Sequence, residues 1–550
     1  MSTIQAFFET ARRLGTRLAW KYGAREYTWS EAAQLVRRTA RALLALGVKP
    51  GESVSIAGPN RPEWILADLG AMAAGAVPAP IYPTLTAEQA GYVAEHSGAK
   101  VAIVQNDAQL QKLRSRRPSM QFLVIEGAAS SAMSWDQLLA RAGETPESAL
   151  DERLAALQPR GLATLIYTSG TTGPPKAVML SHENLLFASR VAQRIAAISP
   201  DDVLVSYLPL SHVAEQMITI HGPAVSGAQI WFADALEKAP EVIRAARPTI
   251  FFGVPRVWEK MQSRIEEAAT SASPLRRALL SWARRSRGAL ADRIVLSKLR
   301  ARLGLDRVRF AVTGAAAISL ATLEFFDSLG IAILDVWGMS ESTAMGTSNL
   351  PGARRPGTVG RPSAGVEIRL APDGEILTRG PHVFLGYYKD EAATREALDR
   401  DGWLHTGDVG ELDAEGYLRI SDRKKDLIIT SGGKNISPQN LEGQLRRIPG
   451  VALAVVVGDA RRHLAALFTL EPRNGRGPEE LARDPAVIAE IARGLDAVNG
   501  QLASFETIKK FRVLPVQFSV ESGELTATMK VKRKVVAQKF AREIEELFQV

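Results

Sequence analysis

The sequence contains no cysteine. This excludes disulfides, Cys-ligated zinc, iron–sulfur clusters and a cysteine nucleophile, so any thioester made here takes its sulfur from a substrate. Histidines number only 7, too few for a His-rich structural metal site. No long apolar run is uninterrupted. The longest, Ile65 to Leu85, is broken by Asp68, Pro78, Pro80 and Pro83. It predicts a buried helix running into a strand, not a membrane span. The opening residues, MSTIQAFFETARRLGTRLAW, lack the apolar core of a signal peptide and repeat at helical spacing. No internal repeat is visible.

What is present is globular in composition: 550 residues, 46% hydrophobic and 23% charged. That length is too great for one core and predicts two or more domains. The net charge of +9 suits an anionic partner, which is nucleic acid, a phosphorylated small molecule or an acidic membrane surface. No helix-turn-helix, RRM or finger pattern is visible, which argues against nucleic acid. The expected location is the cytoplasm, with or without peripheral contact to a membrane. Ser271–Arg309 is the one segment of biased composition. Its arginines are interleaved with Leu275, Leu279, Leu280, Trp282 and Leu290, a pattern shared by solvated basic helices and by helices that lie on anionic membranes.

Short apolar runs alternate with helical patterns through most of the chain, predicting an α/β domain. Ser30–Leu46 reads as a helix. Ser53–Ala57, Val101–Gln105, Ala163–Tyr167, Val203–Leu208, Thr249–Phe252 and Arg309–Thr313 read as strands. After Gly357 the text changes to antiparallel strands at Glu367–Leu370, Gly374–Thr378, Val409–Leu412 and Tyr417–Ile420. A further change at Asp422–Asp426 marks a boundary. The expected fold is therefore α/β: a large N-terminal domain of several subdomains, 1–421, and a small α+β C-terminal domain, 422–550.

The run Ala163–Tyr167 is followed by Thr168-Ser169-Gly170-Thr171-Thr172-Gly173-Pro174-Pro175-Lys176. Hydroxyls, glycine-freed backbone N–H groups and one cation make a phosphate cradle. The spacing is not that of a Walker A loop. Six further motifs follow in order: Leu208-Pro209-Leu210-Ser211-His212, Thr313-Gly314-Ala315-Ala316, Trp337-Gly338-Met339-Ser340-Glu341, Gly402–Asp408 (GWLHTGD), Asp422–Asp426 (DRKKD), and Lys530 within Thr526–Arg533. Together they resemble the adenylate-forming acyl-CoA synthetase superfamily over nearly the whole chain. The text around Ser206–Gln216, Gly253–Lys260 and Ser431–Pro438 looks most like its long-chain fatty acyl and bubblegum-type branch.

The resemblance implies ATP-dependent activation of a medium- to long-chain fatty acid to its acyl-adenylate, then thioester formation with CoA. Transfer to an acyl carrier protein, or an aryl or other carboxylic acid as substrate, are the near alternatives. An ATP-hydrolysing regulatory protein is the rival from another class. ATP and CoA are the implied co-substrates and Mg2+ the implied metal. Attack of one anion on another needs cations and donors aimed at the phosphates. The implied phosphate ligands are Thr168, Ser169, Gly170, Thr171, Thr172, Gly173 and Lys176. Glu341 is the implied magnesium ligand and Ser340 an α-phosphate donor. Gly314, Ala315, Ala316, Trp337 and Gly338 would form the adenine slot. Asp408 and Arg423 would take the ribose, and His212 would sit at the acyl carboxylate. Lys530 would bridge that carboxylate and the α-phosphate, with a slip to Lys532 left open by the sequence.

Lys425 maps to the family's hinge, and Gly432 and Gly433 to the border of the pantetheine tunnel. Val213, Phe252, Gly253 and Met339 are candidate acyl-tunnel walls. Gln216 occupies the position of a gating tryptophan in some long-chain members. Asp327-Ser328-Leu329 resembles a carrier-protein attachment tripeptide but reads as structural.

Overall fold

The computed structural model describes every residue except 128–131, 169–173, 287, 432–433, 474, 527–528 and 550, and omits the Asn435 side chain. The first sheet is parallel and five-stranded, in the order Val77–Ile81, Ser53–Ala57, Val101–Val104, Gln121–Val124 and Met133–Ser134. Every residue of Ser53–Ala57 and Val77–Ile81 is buried, which is why these strands read as continuous apolar runs. The apolar stretch from Ile65 resolves as expected, into the wholly buried helix Pro62–Ala73 followed by the strand Val77–Ile81. Among the described residues no helix is long and apolar enough to cross a membrane.

The helix expected at Ser30 is Trp29–Ala45. Thr28 caps it reciprocally with Glu31: the Glu31 N–H donates to Thr28 Oγ1 and the Glu31 carboxylate accepts from the Thr28 N–H. A second parallel set joins Ile250–Phe252, Phe310–Thr313 and Ile333–Trp337, extended antiparallel by Thr347–Ser348 and Arg361–Pro362. Val203–Ser206 belongs to a third sheet with Gln229–Phe232, Leu18–Tyr22 and Arg25–Thr28.

Two smaller sheets carry the cleft. The hairpin Leu162–Thr168/Lys176–Ser181 gains the short strand Gly386–Tyr387 at its edge. The expected antiparallel group is a four-stranded sheet of Glu367–Leu370, Glu375–Arg379, Leu404–Leu412 and Leu418–Arg423. Its last strand runs past Ile420 to Arg423, which places Arg423 directly opposite Asp408.

Beyond it, Val451–Val457, Leu464–Leu470 and Ile508–Val513 form a mixed sheet. The helices Pro438–Leu445 and Pro485–Asn499 cover one face and Arg533–Lys539 and Ala541–Phe548 the other, each pair with its own apolar cluster. These clusters are separate from the large core around Trp29, Trp64 and Ile56, so the C-terminal part is a small α+β unit with cores of its own.

Candidate active site

The strand Ile333–Trp337 ends in a tight reversal. A Cβ on Gly338 would lie 2.5 Å from the Ala344 carbonyl carbon, so only glycine fits there. Thr343 and Ala344 both adopt left-handed backbone, at φ 54° and 56°, a conformation that costs non-glycine residues energy and persists where surrounding structure imposes it. The reversal presents the one-turn segment Ser340–Ser342. Ser340 is half-buried and Glu341 buried. Glu341 Oε1 accepts a hydrogen bond from Tyr387 Oη at 2.8 Å. The Tyr387 ring lies under Lys176, whose Nζ is 4.8 Å from its centroid. Burial, and then the Glu341 charge, push the Tyr387 phenol well above its usual range, so it remains a donor.

Trp337 donates its indole N–H to Asp408 Oδ2 at 2.8 Å, and Arg423 Nε meets Asp408 Oδ1 at 2.8 Å. The Asp408 N–H donates to Thr406 Oγ1, whose own hydroxyl donates to the Ile376 carbonyl. Asp408 is thereby held on three sides. Its charge raises the Arg423 guanidinium, with Glu341 contributing in the same sense.

Lys530 enters from the C-terminal unit. Its N–H donates to Thr526 Oγ1 at 3.0 Å and its carbonyl accepts from the Thr526 N–H at 2.8 Å, closing a tight turn. Met529 completes that turn at φ 63°, where glycine would be unstrained. The Lys530 side chain keeps contact with solvent in the cleft. Burial lowers its ammonium below the ordinary lysine range and Arg423 adds to this, while Asp408 and Glu341 oppose.

His212 caps the short helix Val213–Gln216, its Nδ1 accepting from the Ala214 N–H at 3.2 Å. Nε2 therefore carries the ring proton. Burial and the nearby Lys530 charge lower His212 to about 4, so it is neutral at physiological pH. Lys530 thus reaches His212, Asp408, Glu341 and Arg423 electrostatically. Lys532 instead precedes the helix Arg533–Lys539, with its N–H on the Glu524 carbonyl.

Gly314, Ala315 and Ala316 follow the strand Phe310–Thr313. A Cβ on Gly314 would lie 3.1 Å from Val336, and Ala315 turns at φ 67°. Thr168 ends its strand with Oγ1 3.4 Å from the Lys176 carbonyl. Ser169, Gly170, Thr171, Thr172 and Gly173 lie outside the described residues, as do Gly432 and Gly433. Lys425 is exposed and follows Lys424, which pairs with Asp373 at 2.6 Å and Glu375 at 3.1 Å.

Val213 is buried in the main core and Met339 packs against it. The Phe252 carbonyl accepts from Tyr207 Oη at 2.7 Å, and a Cβ on Gly253 would lie 2.8 Å from Trp258 Nε1. Gln216 is buried and donates to the Leu210 carbonyl at 3.0 Å. It fastens the loop that carries His212. Ser328 is buried between Phe325 and Arg284, which agrees with a structural reading of its tripeptide.

Sequence reasoning missed Tyr387. It lies on a two-residue strand that joins the hairpin of Lys176 only in the folded chain, and no local signal marks it. It also missed the indole bond to Asp408. Among the described residues no group of three His, Asp or Glu side chains could by itself hold a metal. One buried carboxylate, Glu341, fits a magnesium ion whose other ligands are phosphate oxygens and water.

The comparisons agree with this geometry. A family model described as AMP-binding enzyme matches residues 7–388, and one described as AMP-binding enzyme C-terminal domain matches residues 425–550. The chain is 35% identical to the long-chain-fatty-acid–CoA ligase ACSBG2 of Xenopus laevis, across 99% of this chain and 83% of that protein. It is 37% identical to the long-chain-fatty-acid–CoA ligase FadD15 of Mycobacterium bovis, across 95% and 92%. Among solved structures, ATP-bound MatB from Rhodopseudomonas palustris matches with a TM-score of 0.75 at 25% identity, across 98% and 99% of the two chains. The A domain of carboxylic acid reductase from Segniliparus rugosus shares the fold, with a TM-score of 0.81 at 22% identity across 100% and 94%. The motif order, the two-part fold and these likenesses converge: the chain belongs to the AMP-binding enzyme family, beside its bubblegum-type and FadD15 relatives.

Proposed function

We propose that this chain is an AMP-forming acyl-CoA synthetase that activates a medium- to long-chain fatty acid and hands the acyl group to CoA. The observation that carries the reading is the Asp408–Arg423 pair at 2.8 Å, with Glu341 and, from the second unit, Lys530 within electrostatic reach of it, and Lys530 likewise of His212. In the first half-reaction a carboxylate oxygen attacks the ATP α-phosphorus and the bond to the bridging oxygen breaks, releasing pyrophosphate. Lys530 offsets the charge that builds between carboxylate and α-phosphate, and Lys176 that of the departing pyrophosphate. Ser340 donates to the α-phosphate. Asp408 accepts from the ribose hydroxyls, with Trp337 and Arg423 fixing its two oxygens. Adenine lies against Gly314, Ala315, Ala316, Trp337 and Gly338. Neutral His212 offers its Nε2 hydrogen to the acyl carboxylate.

Glu341 would hold Mg2+, which when bound neutralises phosphate charge. In the second half-reaction the CoA sulfur attacks the acyl carbonyl and AMP leaves. We assign this step to a second pose of the 422–550 unit, reached about a hinge at Lys425, with Gly432 and Gly433 beside the thiol's path. Val213, Phe252, Gly253 and Met339 are the proposed acyl walls. A cytoplasmic enzyme that meets its apolar substrate at a membrane surface suits the cysteine-free sequence and the positive charge.

The test is incubation with ATP, Mg2+ and a panel of carboxylic acids, with and without CoA, reading pyrophosphate, AMP and acyl-CoA. Acid-dependent pyrophosphate and AMP, with acyl-CoA formed best from medium and long chains, is expected. Orthophosphate without AMP would overturn adenylation. Acyl-adenylate that persists despite CoA would move the acceptor to a carrier protein.

A further inference from the structure

Between Ser271 and Leu303 the chain has nine Lys and Arg against one Asp, while the whole protein has a net charge of +9. Almost all of the charge imbalance sits in this one segment. It folds as the helix Pro274–Ser286 and the helical turns Ala289–Ala291, Asp292–Leu296 and Ser297–Leu303. Among the described residues Arg276, Arg277, Arg285 and Arg293 enter no ion pair. Among the described basic residues of the segment only Arg300 is neutralised, by Asp292 at 2.7 Å.

The same segment exposes large apolar side chains. Leu275 is 78% exposed, Leu279 41%, Trp282 38%, Leu290 63% and Ile294 42%. Leu275, Leu279 and Trp282 recur at helical spacing on one exposed face, and Ala283, one turn beyond Leu279, is buried at its flank. Arg284 is engaged inward, with its Nε on Ser328 and its guanidinium over Phe325. A groove of about 690 Å³ lies beside it, lined by Arg277, Arg284 and Arg285 together with Glu266 and Glu324.

We infer that this ridge is the surface by which the protein docks on an anionic lipid bilayer, with Leu275, Leu279 and Trp282 entering the headgroup layer and the free arginines meeting lipid phosphates. It rests on the membrane-surface reading given above and names the surface. Unpaired arginines supply the attraction to lipid phosphate. Exposed leucines and a tryptophan supply apolar area that a nucleic-acid surface does not require.

The test uses full-length protein without ATP, acid or CoA, sedimented with vesicles of phosphatidylcholine alone or of phosphatidylcholine with phosphatidylglycerol. A failed ligase reading therefore leaves it decidable. Wild type is expected to bind the anionic vesicles more tightly than the neutral ones. Arg276→Gln, Arg277→Gln and Arg285→Gln combined should lower partition by roughly 10²-fold, from about tenfold or less per charge near the surface, and the difference should vanish in high salt. Leu275→Ala with Trp282→Ala should weaken binding at low and high salt alike. Both sets should turn over a short, water-soluble acid as wild type does, which shows intact folding. No binding by wild type would overturn both this surface and the membrane reading. Binding unchanged in both sets would overturn this surface alone. Binding of duplex DNA that depends on the arginines but not on Trp282, without vesicle binding, would reassign the ridge to nucleic acid.

Discussion

Tyr387 joins two groups that the motifs assign to opposite tasks: its hydroxyl donates to Glu341 Oε1 at 2.8 Å while its ring carries Lys176 at 4.8 Å. The proposed magnesium ligand and the proposed pyrophosphate cation are thus spaced by one side chain. Tyr387→Phe keeps the ring and removes the hydrogen bond. Loss of a group that orients a metal ligand costs about 10–100-fold in metal affinity or activity. The variant should need more magnesium for half-maximal pyrophosphate release, with adenylation restored at saturating metal. Glu341→Gln should show a larger demand, and Lys176→Ala a loss that metal does not rescue. An unchanged magnesium titration for Tyr387→Phe would remove the tyrosine from this role.

Lys530 and Lys532 are two residues apart yet differently placed, and the two half-reactions separate them. Lys530→Ala should slow adenylation by about 10²–10³-fold, the cost of losing one preorganised donor to developing charge. The same variant should convert synthetic acyl-adenylate to acyl-CoA at near the normal rate. Lys532→Ala should do both at near wild-type rates. Single-turnover measurements from each starting point decide it, and a selective adenylation defect in Lys532→Ala would reverse the assignment.

The depressed Lys530 ammonium also sets a pH limb. A lysine whose value is lowered loses its proton earlier as pH rises. Adenylation should therefore decline on the alkaline side below the ordinary lysine range, and Lys530→Arg should move that limb upward even if its maximum is lower. His212, neutral above about 4, should contribute no limb near pH 7. An alkaline limb of adenylation that stays in place in Lys530→Arg would argue against lysine deprotonation as its cause.

Stability carries a different pH signature. His182, His212 and His382 are lowered to about 4 and His221 to about 3, all by burial first. Between these values and the ordinary histidine range the unfolded chain binds protons that the fold refuses, so their contribution is lost as pH falls. Asp68 and Asp335 are raised to about 8 and Glu215 to about 7, again by burial. Here the fold holds protons that the unfolded chain has released, so stability is lost progressively as pH rises from the ordinary carboxylate range up to 7 to 8. Thermal unfolding should show a maximum on the slightly acid side of neutrality. Asp68, whose two oxygens have no partner among the described residues, gives the check: Asp68→Asn should raise Tm more at pH 8 than at pH 6. An equal change at both would sink the linkage.

Most of the proposed chemistry was legible in the sequence because its motifs are contiguous strings. WGMSE and HTGD each keep chemistry and local backbone together, and Gly338 shows why: its missing Cβ lets the chain reverse tightly enough to present Glu341. Strand bounds were legible to the residue where burial is complete, as in Ser53–Ala57, and less so where faces alternate in burial, as in Leu404–Leu412, which begins five residues before the expected Val409. What stayed hidden depends on register across long separations. Tyr387 reaches Lys176 only because Gly386–Tyr387 adds to a hairpin two hundred positions earlier, roughly the gap between their numbers. Asp408 meets Arg423 because a bulge after Val409 sets the pairing of two strands.

The last strand of that sheet, Leu418–Arg423, has a mechanical consequence. Arg423 is clamped to Asp408 at the point where the chain leaves the large unit, two residues before the proposed pivot at Lys425, and Lys424 is moored beside it to Asp373 and Glu375. A ribose held by Asp408 would sit at the fulcrum and not at the end of the lever. The sugar could then stay fixed through both poses while the turn bearing Lys530 sweeps through a wide arc, so one nucleotide-binding platform can serve two reactions without letting go of its ligand between them.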